Sequence, residues 1–286
     1  MTDLNGKIMA NRLRVSAPGK IILSGEHAVV YGHPALVVAV DRRLTVTLSG
    51  KKTEIESDIP IGCGMGSSAA LAVAKSGLFL KRKSITWDLE EINKKAYELE
   101  KMQHGNPSGV DNTVSTYGGF LWYRKEAEGL KTFSSVPVKI KLPKFFLINT
   151  GKPVETTKEM VSVVARLVKK HPLKYKTIFT KIEVVTKFFL KCLLGEEKND
   201  ISTLIKENER LLEKLGVVSK STIKTVKGIE RIGGAAKISG AGGIKGNSGV
   251  LLAYHKGRDK LVGFAKDMNL DIFPVKLGEG GVRIEK

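Results

Sequence analysis

The sequence predicts an α+β chain in two halves, and three observations carry that expectation. Short apolar runs of strand character crowd residues 12–49, ahead of a glycine-rich loop that feeds an alanine-rich helical stretch. A polar stretch, Lys125–Lys144, carries Pro137 and Pro143 and interrupts the pattern. Beyond it, the apolar Phe145–Asn149 precedes four helical periodicities and a closing set of short strands. The boundary therefore falls between 144 and 145, giving halves of 1–144 and 145–286.

In chain order, residues 1–11 have the character of a loose leader. Arg12–Ala17 alternates as a strand does, and Pro18-Gly19 marks a turn after it. Lys20 then opens Ile21-Ile22-Leu23, with Ser24-Gly25-Glu26-His27 behind it. A Lys, a Glu and a His around two short apolar runs fit either a surface hairpin with an ion pair or a functional cluster. Ala35–Val40 is a continuous apolar run and Leu44–Ser49 alternates, so both predict strands, and a short polar link follows.

That link reaches Ile59–Ala70, the most informative stretch. Gly62, Gly64 and Gly66 leave the backbone bare at alternate positions, so its N–H groups can close around an anion. Ser67 to about Leu80 predicts a helix, with Leu71, Ala74 and Leu78 at helical spacing. A helix N-terminus attracts phosphate, and Ser67 and Ser68 are suited to cap it or to offer a hydroxyl to Mg²⁺. An ordinary Gly-rich turn looks similar. The two standard phosphate fingerprints fit badly: no Lys follows the last Gly, and a dinucleotide pattern needs Gly where Ser67 stands. A phosphate site here belongs to a different fold.

A second helix is expected over about Trp87–Lys101, where Leu89, Ile92, Ala96 and Leu99 form one stripe and Glu100 lies at its edge. A carboxylate on a buried edge is costly unless paired or bound to metal, so Glu100 is either a Mg²⁺ ligand or a side chain snorkelling past the helix end. Next comes His104–Thr113, a turn-rich stretch before a short helix, with Asp111 inside it either for chemistry or to cap backbone N–H groups. Phe120–Tyr123 predicts a strand. In the second half, Thr156–Lys169, Tyr175–Leu194, Ile201–Leu215 and Ser219–Arg231 predict helices. Ala236–Ser239, Gly249–Tyr254 and Ile272–Val275 predict strands, with Arg258–Met268 helical between the last two.

With 42% hydrophobic and 27% charged residues, the chain has the composition of a globular protein with a proper core. No apolar run reaches the ~18 residues of a membrane helix, and the first residues lack a signal-peptide core. Cys63 and Cys192 are the only cysteines, and Cys63 lies in the glycine loop, where a disulfide would stiffen a ligand site. Free thiols in a reducing cytoplasm are expected. The net charge of +19 allows nucleic acid as a partner. Lysines scattered along helical faces in Lys158–Lys227 and few stacking aromatics favour a solvated basic surface, which also draws in anionic substrates.

Three segments in this order resemble the GHMP family of sugar and isoprenoid kinases: Ala17-Pro18-Gly19-Lys20 with Gly25-Glu26-His27, then Gly64-Met65-Gly66-Ser67-Ser68-Ala69-Ala70, then Lys237-Ile238-Ser239-Gly240-Ala241-Gly242-Gly243. The middle one is close to specific for the family, and together they span nearly the whole chain. Within the family, His104–Asn112 with Glu26-His27 is most similar to members that phosphorylate mevalonate. The resemblance implies a domain like domain 2 of ribosomal protein S5 followed by a ferredoxin-like domain. It implies ATP phosphates on Gly62, Gly64, Met65, Gly66, Ser67 and Ser68, with Ser108 helping to build the site. It implies a catalytic Asp111 paired with Lys20, Mg²⁺ held by Ser68 and Glu100, and Glu26, His27 and Tyr123 lining the mevalonate pocket. The partner implied is a small molecule, without nucleic acid or membrane, and a homodimer stays open.

Two departures limit the carry-over. The third segment continues Ile244-Lys245-Gly246-Asn247-Ser248 where relatives run on with further glycines and a Cys, and few residues separate Leu48 from Pro60 where relatives hold adenine. Two other readings stand beside mevalonate: a phosphomevalonate or sugar kinase of the same family, and an RNA-binding module.

Overall fold

Two antiparallel sheets, one from the first half of the chain with the last strand added and one from the second half, set the position of everything else in the computed structural model. The structure describes residues 12–104, 108–127, 130–198 and 200–286. The leader 1–11 and Gly105–Pro107 of the turn-rich stretch lie outside those residues.

The first sheet holds β1 (Leu13–Ser24), β2 (Ala35–Ser49), β4 (Phe120–Lys125) and β5 (Lys131–Ser135), with β3 (Lys52–Ser57) paired to β2. The chain's last strand, β10 (Arg283–Glu285), returns to the outer edge of β1. Here the expected turn at Pro18-Gly19 is corrected: β1 runs straight through it. Pro18 pairs with Arg43 and Gly19 with Val40, so Asp41 and Arg42 form a bulge in β2. The bulge absorbs the ladder bond that a proline cannot donate. It also joins the two predicted strands 35–40 and 44–49 into one. The polar link before the glycine loop is β3, an exposed hairpin arm whose side chains show no apolar alternation to betray it.

Ala35–Val40 is apolar throughout because both faces of β2 are covered. Leu36, Val38 and Val40 enter the main core, while Ala35, Val37 and Ala39 enter a smaller one with Val110, Val114 and Tyr123. Three helices accompany this sheet: α1 (Ser67–Arg82), α2 (Leu89–His104) and α3 (Val110–Tyr117).

The second sheet has the order β7 (Ala235–Ile238), β8 (Val250–Tyr254), β6 (Phe145–Asn149), β9 (Asp271–Val275). Between β6 and β7 run α4 (Thr157–Lys170), α5 (Pro172–Leu193), α6 (Ile201–Leu215) and α7 (Lys220–Arg231), and α8 (Arg258–Asp267) joins β8 to β9. Taking the four helices as one crossover, this is the ferredoxin-like β-α-β-β-α-β plan. Local signals explain the starts: Thr156 and Glu159 form a reciprocal capping box ahead of α4, and Pro172 opens α5, where no N–H is needed. The main core is continuous from β1 and α1 through Phe146, Ile182 and Leu212, so the two sheets share one apolar interior.

Candidate active site

The glycine loop sits where the two sheets meet. Gly62, Gly64 and Gly66 have φ of 73°, 87° and 74°, a left-handed backbone that only glycine adopts without strain. Lys20 N–H donates to the Met65 carbonyl at 2.9 Å, and Val250 N–H to the Cys63 carbonyl at 3.0 Å. The loop is thereby clamped between β1 and the start of β8. At Gly64 a Cβ would lie 2.6 Å from the Ser239 carbonyl oxygen, so the close approach of the third glycine-rich segment also demands glycine.

Gly66 is the residue that precedes α1, and no side chain caps the helix. This corrects the expectation that Ser67 and Ser68 cap it: both stand inside the first turn. Ser68 Oγ instead donates to Glu100 Oε1 at 2.7 Å, joining α1 to α2. Glu100 is buried, as the helical stripe predicted. The first-turn amides of α1 face the loop with the positive end of the helix dipole, the usual setting for a bound phosphate.

Asp111 lies in the first turn of α3, and its Oδ1 is 3.1 Å from Lys20 Nζ. The lysine side chain is 3% exposed and the aspartate 37%. A cation buried in the middle of a core strand thus presents its head to a carboxylate that remains open to solvent. The Lys20 stem also passes over Gly66, where a Cβ would approach it to 3.0 Å. Lys20 therefore links the glycine loop to Asp111.

The other predicted residues surround this pair at different depths. Tyr123, fully buried on β4, donates its hydroxyl to the Ser108 carbonyl at 2.7 Å, and burial pushes its phenol pKa up. Ser108 lies two residues before α3, where its hydroxyl accepts a long 3.4 Å bond from Val110 N–H. His27 has φ of 59° and bonds through Nε2 to the Ala241 carbonyl at 3.0 Å; burial lowers its pKa, favouring the neutral ring. Glu26 is 1% exposed and forms an ion pair with Lys237 of β7. Burial raises the Glu26 pKa, against the opposing pull of Lys237. The structure thus places Lys20, Asp111, Gly66 and Ser68 with Glu100 around the loop, and Glu26 beneath the surface.

Sequence reasoning gave no role to Lys237, Ser239 or Lys152. Ile22 N–H donates to Ser239 Oγ at 3.0 Å, and the Lys152 side chain lies across Gly62. The signal for Lys237 was present: a lysine inside the apolar strand Ala235–Ile238 has to be buried and paired.

Among the described residues, no three His, Cys, Asp or Glu side chains gather as a metal site. The Ser68–Glu100 oxygens are a sparse, hard donor pair. That fits Mg²⁺, which takes one or two protein oxygens and fills its octahedron with water and substrate phosphate.

Comparison with known proteins gives a consistent picture. The family model of the GHMP kinases N terminal domain matches residues 30–119. The chain is 33% identical over 255 residues to a mevalonate kinase of Archaeoglobus fulgidus, covering 76% of this chain and 84% of the relative. To a mevalonate kinase of Thermococcus sibiricus it is 31% identical over 274 residues, covering 73% and 80%. Among solved structures, L. major mevalonate kinase in complex with R-mevalonate aligns at a TM-score of 0.79 over 93% of this chain and 96% of that one. At 20% identity this last is a likeness of fold.

Proposed function

The chain belongs to the GHMP kinase family, and on that premise we propose that it transfers the γ-phosphoryl group of ATP to the 5-hydroxyl of mevalonate. The observation that carries the proposal is the Lys20–Asp111 pair at 3.1 Å beside the glycine loop. The mevalonate kinases at 31–33% identity support the choice of acceptor.

In this reading Asp111 orients the acceptor hydroxyl and takes its proton as the new O–P bond forms and the bond to the ADP oxygen breaks. Lys20 holds the Asp111 carboxylate in place through their ion pair and offsets negative charge developing on the transferred group. The loop Gly62, Gly64, Met65, Gly66, Ser67 and Ser68 binds the phosphates through backbone N–H groups. Ser68 and Glu100 would hold Mg²⁺, which neutralises phosphate charge when bound. Glu26, His27 and Tyr123 are read as the acceptor side, Glu26 from beneath the surface, with Ser108 accepting the Tyr123 hydroxyl bond. Residues 1–144 and 145–286 are read as two domains meeting at the loop, with β10 at the end of the second crossing back to the first sheet. The +19 charge is read as an attraction for anionic substrates rather than for nucleic acid.

A coupled assay of ADP release with ATP, Mg²⁺ and a panel of mevalonate, phosphomevalonate, galactose and homoserine tests the acceptor. Turnover is expected with mevalonate. Preference for another member of the panel would keep the kinase reading and replace the substrate.

A further inference from the structure

Beneath the acceptor side, buried charges gather where β1 ends against β7, among them a lysine to which the proposed chemistry gives no role. Lys237 is fully buried. Its ammonium donates to Glu26 Oε1, to the Ile22 carbonyl at 3.0 Å and to the Ile238 carbonyl at 2.7 Å. All three of its N–H donors are thereby occupied. The second oxygen of Glu26 is buried with no partner among the described residues. Lys20 faces the pair from β1, and Glu209 faces Lys237 from α6.

Two more bonds run parallel to this one. Ile22 N–H reaches Ser239 Oγ and His27 Nε2 meets the Ala241 carbonyl, so residues 22–27 are fastened at several points to residues 237–241. The same short segment presses on the phosphate loop through the Ser239 carbonyl at Gly64. One segment therefore carries both the turn on the acceptor side and the wall of the loop. Apolar side chains of similar volume would fill this position at lower desolvation cost, so a charged pair needs another reason to be there. Transfer chemistry supplies one, because donor and acceptor must be held in line within a fraction of an ångström.

We propose that Lys237 is a positioning residue for the acceptor: by gripping Glu26 and the Ile22 carbonyl it fixes the turn bearing His27 in register with the phosphate loop. It touches no substrate itself. The inference borrows only the identity of the acceptor from the reading of the site as a mevalonate kinase.

The test compares the parent with Lys237→Met/Glu26→Gln and with Lys237→Arg. The double variant is chosen because Lys237→Met alone leaves a buried carboxylate without its counter-charge. Thermal unfolding, ATP binding by titration, and kcat and KM for the acceptor are measured in the same preparations. The double variant is expected to keep ATP Kd within a few-fold while acceptor kcat/KM falls by about 10²-fold, the loss typical of a misplacement near 1 Å. Lys237→Arg keeps charge and donors but changes their reach. It is expected to unfold near the parent temperature yet lose acceptor kcat/KM, and because it leaves Glu26 untouched it decides the question. Parental acceptor kcat/KM in whichever of the two folds, or a loss that tracks weaker ATP binding, would overturn the role. If the parent does not turn over mevalonate, that reading alone has failed, and the same variants are compared with the acceptor that the panel identifies.

Discussion

Replacing Asp111 with Asn separates chemistry from architecture at this site. The substitution keeps the side-chain shape in the first turn of α3 and removes only the charge and the basic oxygen. Its structural cost can be estimated from the Lys20 pair. Taking one partner from a fully buried pair costs about 3–5 kcal/mol, whereas a solvent-exposed pair is worth about 0–1 kcal/mol. With Lys20 3% exposed but Asp111 37% exposed, the loss lies between, at about 1–2 kcal/mol. In a chain of this size that lowers the unfolding midpoint by only a few degrees, ~2–4 °C per kcal/mol. The catalytic cost is expected to be far larger: a positioned general base contributes ~10²–10⁴-fold. Asp111→Asn should therefore remain folded and bind ATP, whose contacts we propose on the glycine loop, while kcat falls at least ~10²-fold. Thermal unfolding, nucleotide titration and steady-state turnover on one preparation read all three. A folded variant with kcat within a few-fold of the parent would refute the role given to Asp111.

Three further outcomes are expected. Ser68→Ala and Glu100→Gln should each raise the Mg²⁺ concentration for half-maximal activity about tenfold or more, and unchanged Mg²⁺ titrations in both would move the metal elsewhere. Gly64→Ala should lose ATP binding and stability together, since its φ is 87° and the new Cβ would stand 2.6 Å from the Ser239 oxygen; a parental ATP Kd would show the loop is not closed by Ser239. Burial pushes Glu209 from the ordinary 4.5 up to about 7, so the folded state holds a proton that the unfolded state releases. Stability is therefore present below pH 4.5 and lost as pH rises through 7, by up to about 3 kcal/mol from this group, and Glu209→Gln should flatten that part of the denaturant-derived profile.

Much of the candidate site is legible in the sequence. The alternate glycines, the stripe that left Glu100 on a buried edge, and the Lys20 stranded in an apolar run each broke a local rule, and each lies at the site. The four long helices of the second half follow the predicted spans within a few residues because amphipathic spacing and caps act locally. What stayed hidden depends on contacts distant in sequence. The bulge at Asp41-Arg42 turns an expected Pro-Gly turn into continuous strand, with Asp41 bonded to Lys276 across the fold. Strands β3 and β5 are largely exposed and carry no alternation, and β10 is three residues long. Lys237 finds its partner 211 positions away, a separation no local pattern encodes.

The central claim, phosphoryl transfer from ATP to the 5-hydroxyl of mevalonate, is tested most directly by the position of the product's phosphorus. Incubating the protein with ATP, Mg²⁺ and mevalonate labelled with ¹³C at C5 should give one phosphomonoester whose ³¹P signal is split by that carbon, formed in equal amount with ADP. ADP without a coupled phosphorus signal, or no ADP with mevalonate while another acceptor is phosphorylated, would contradict it.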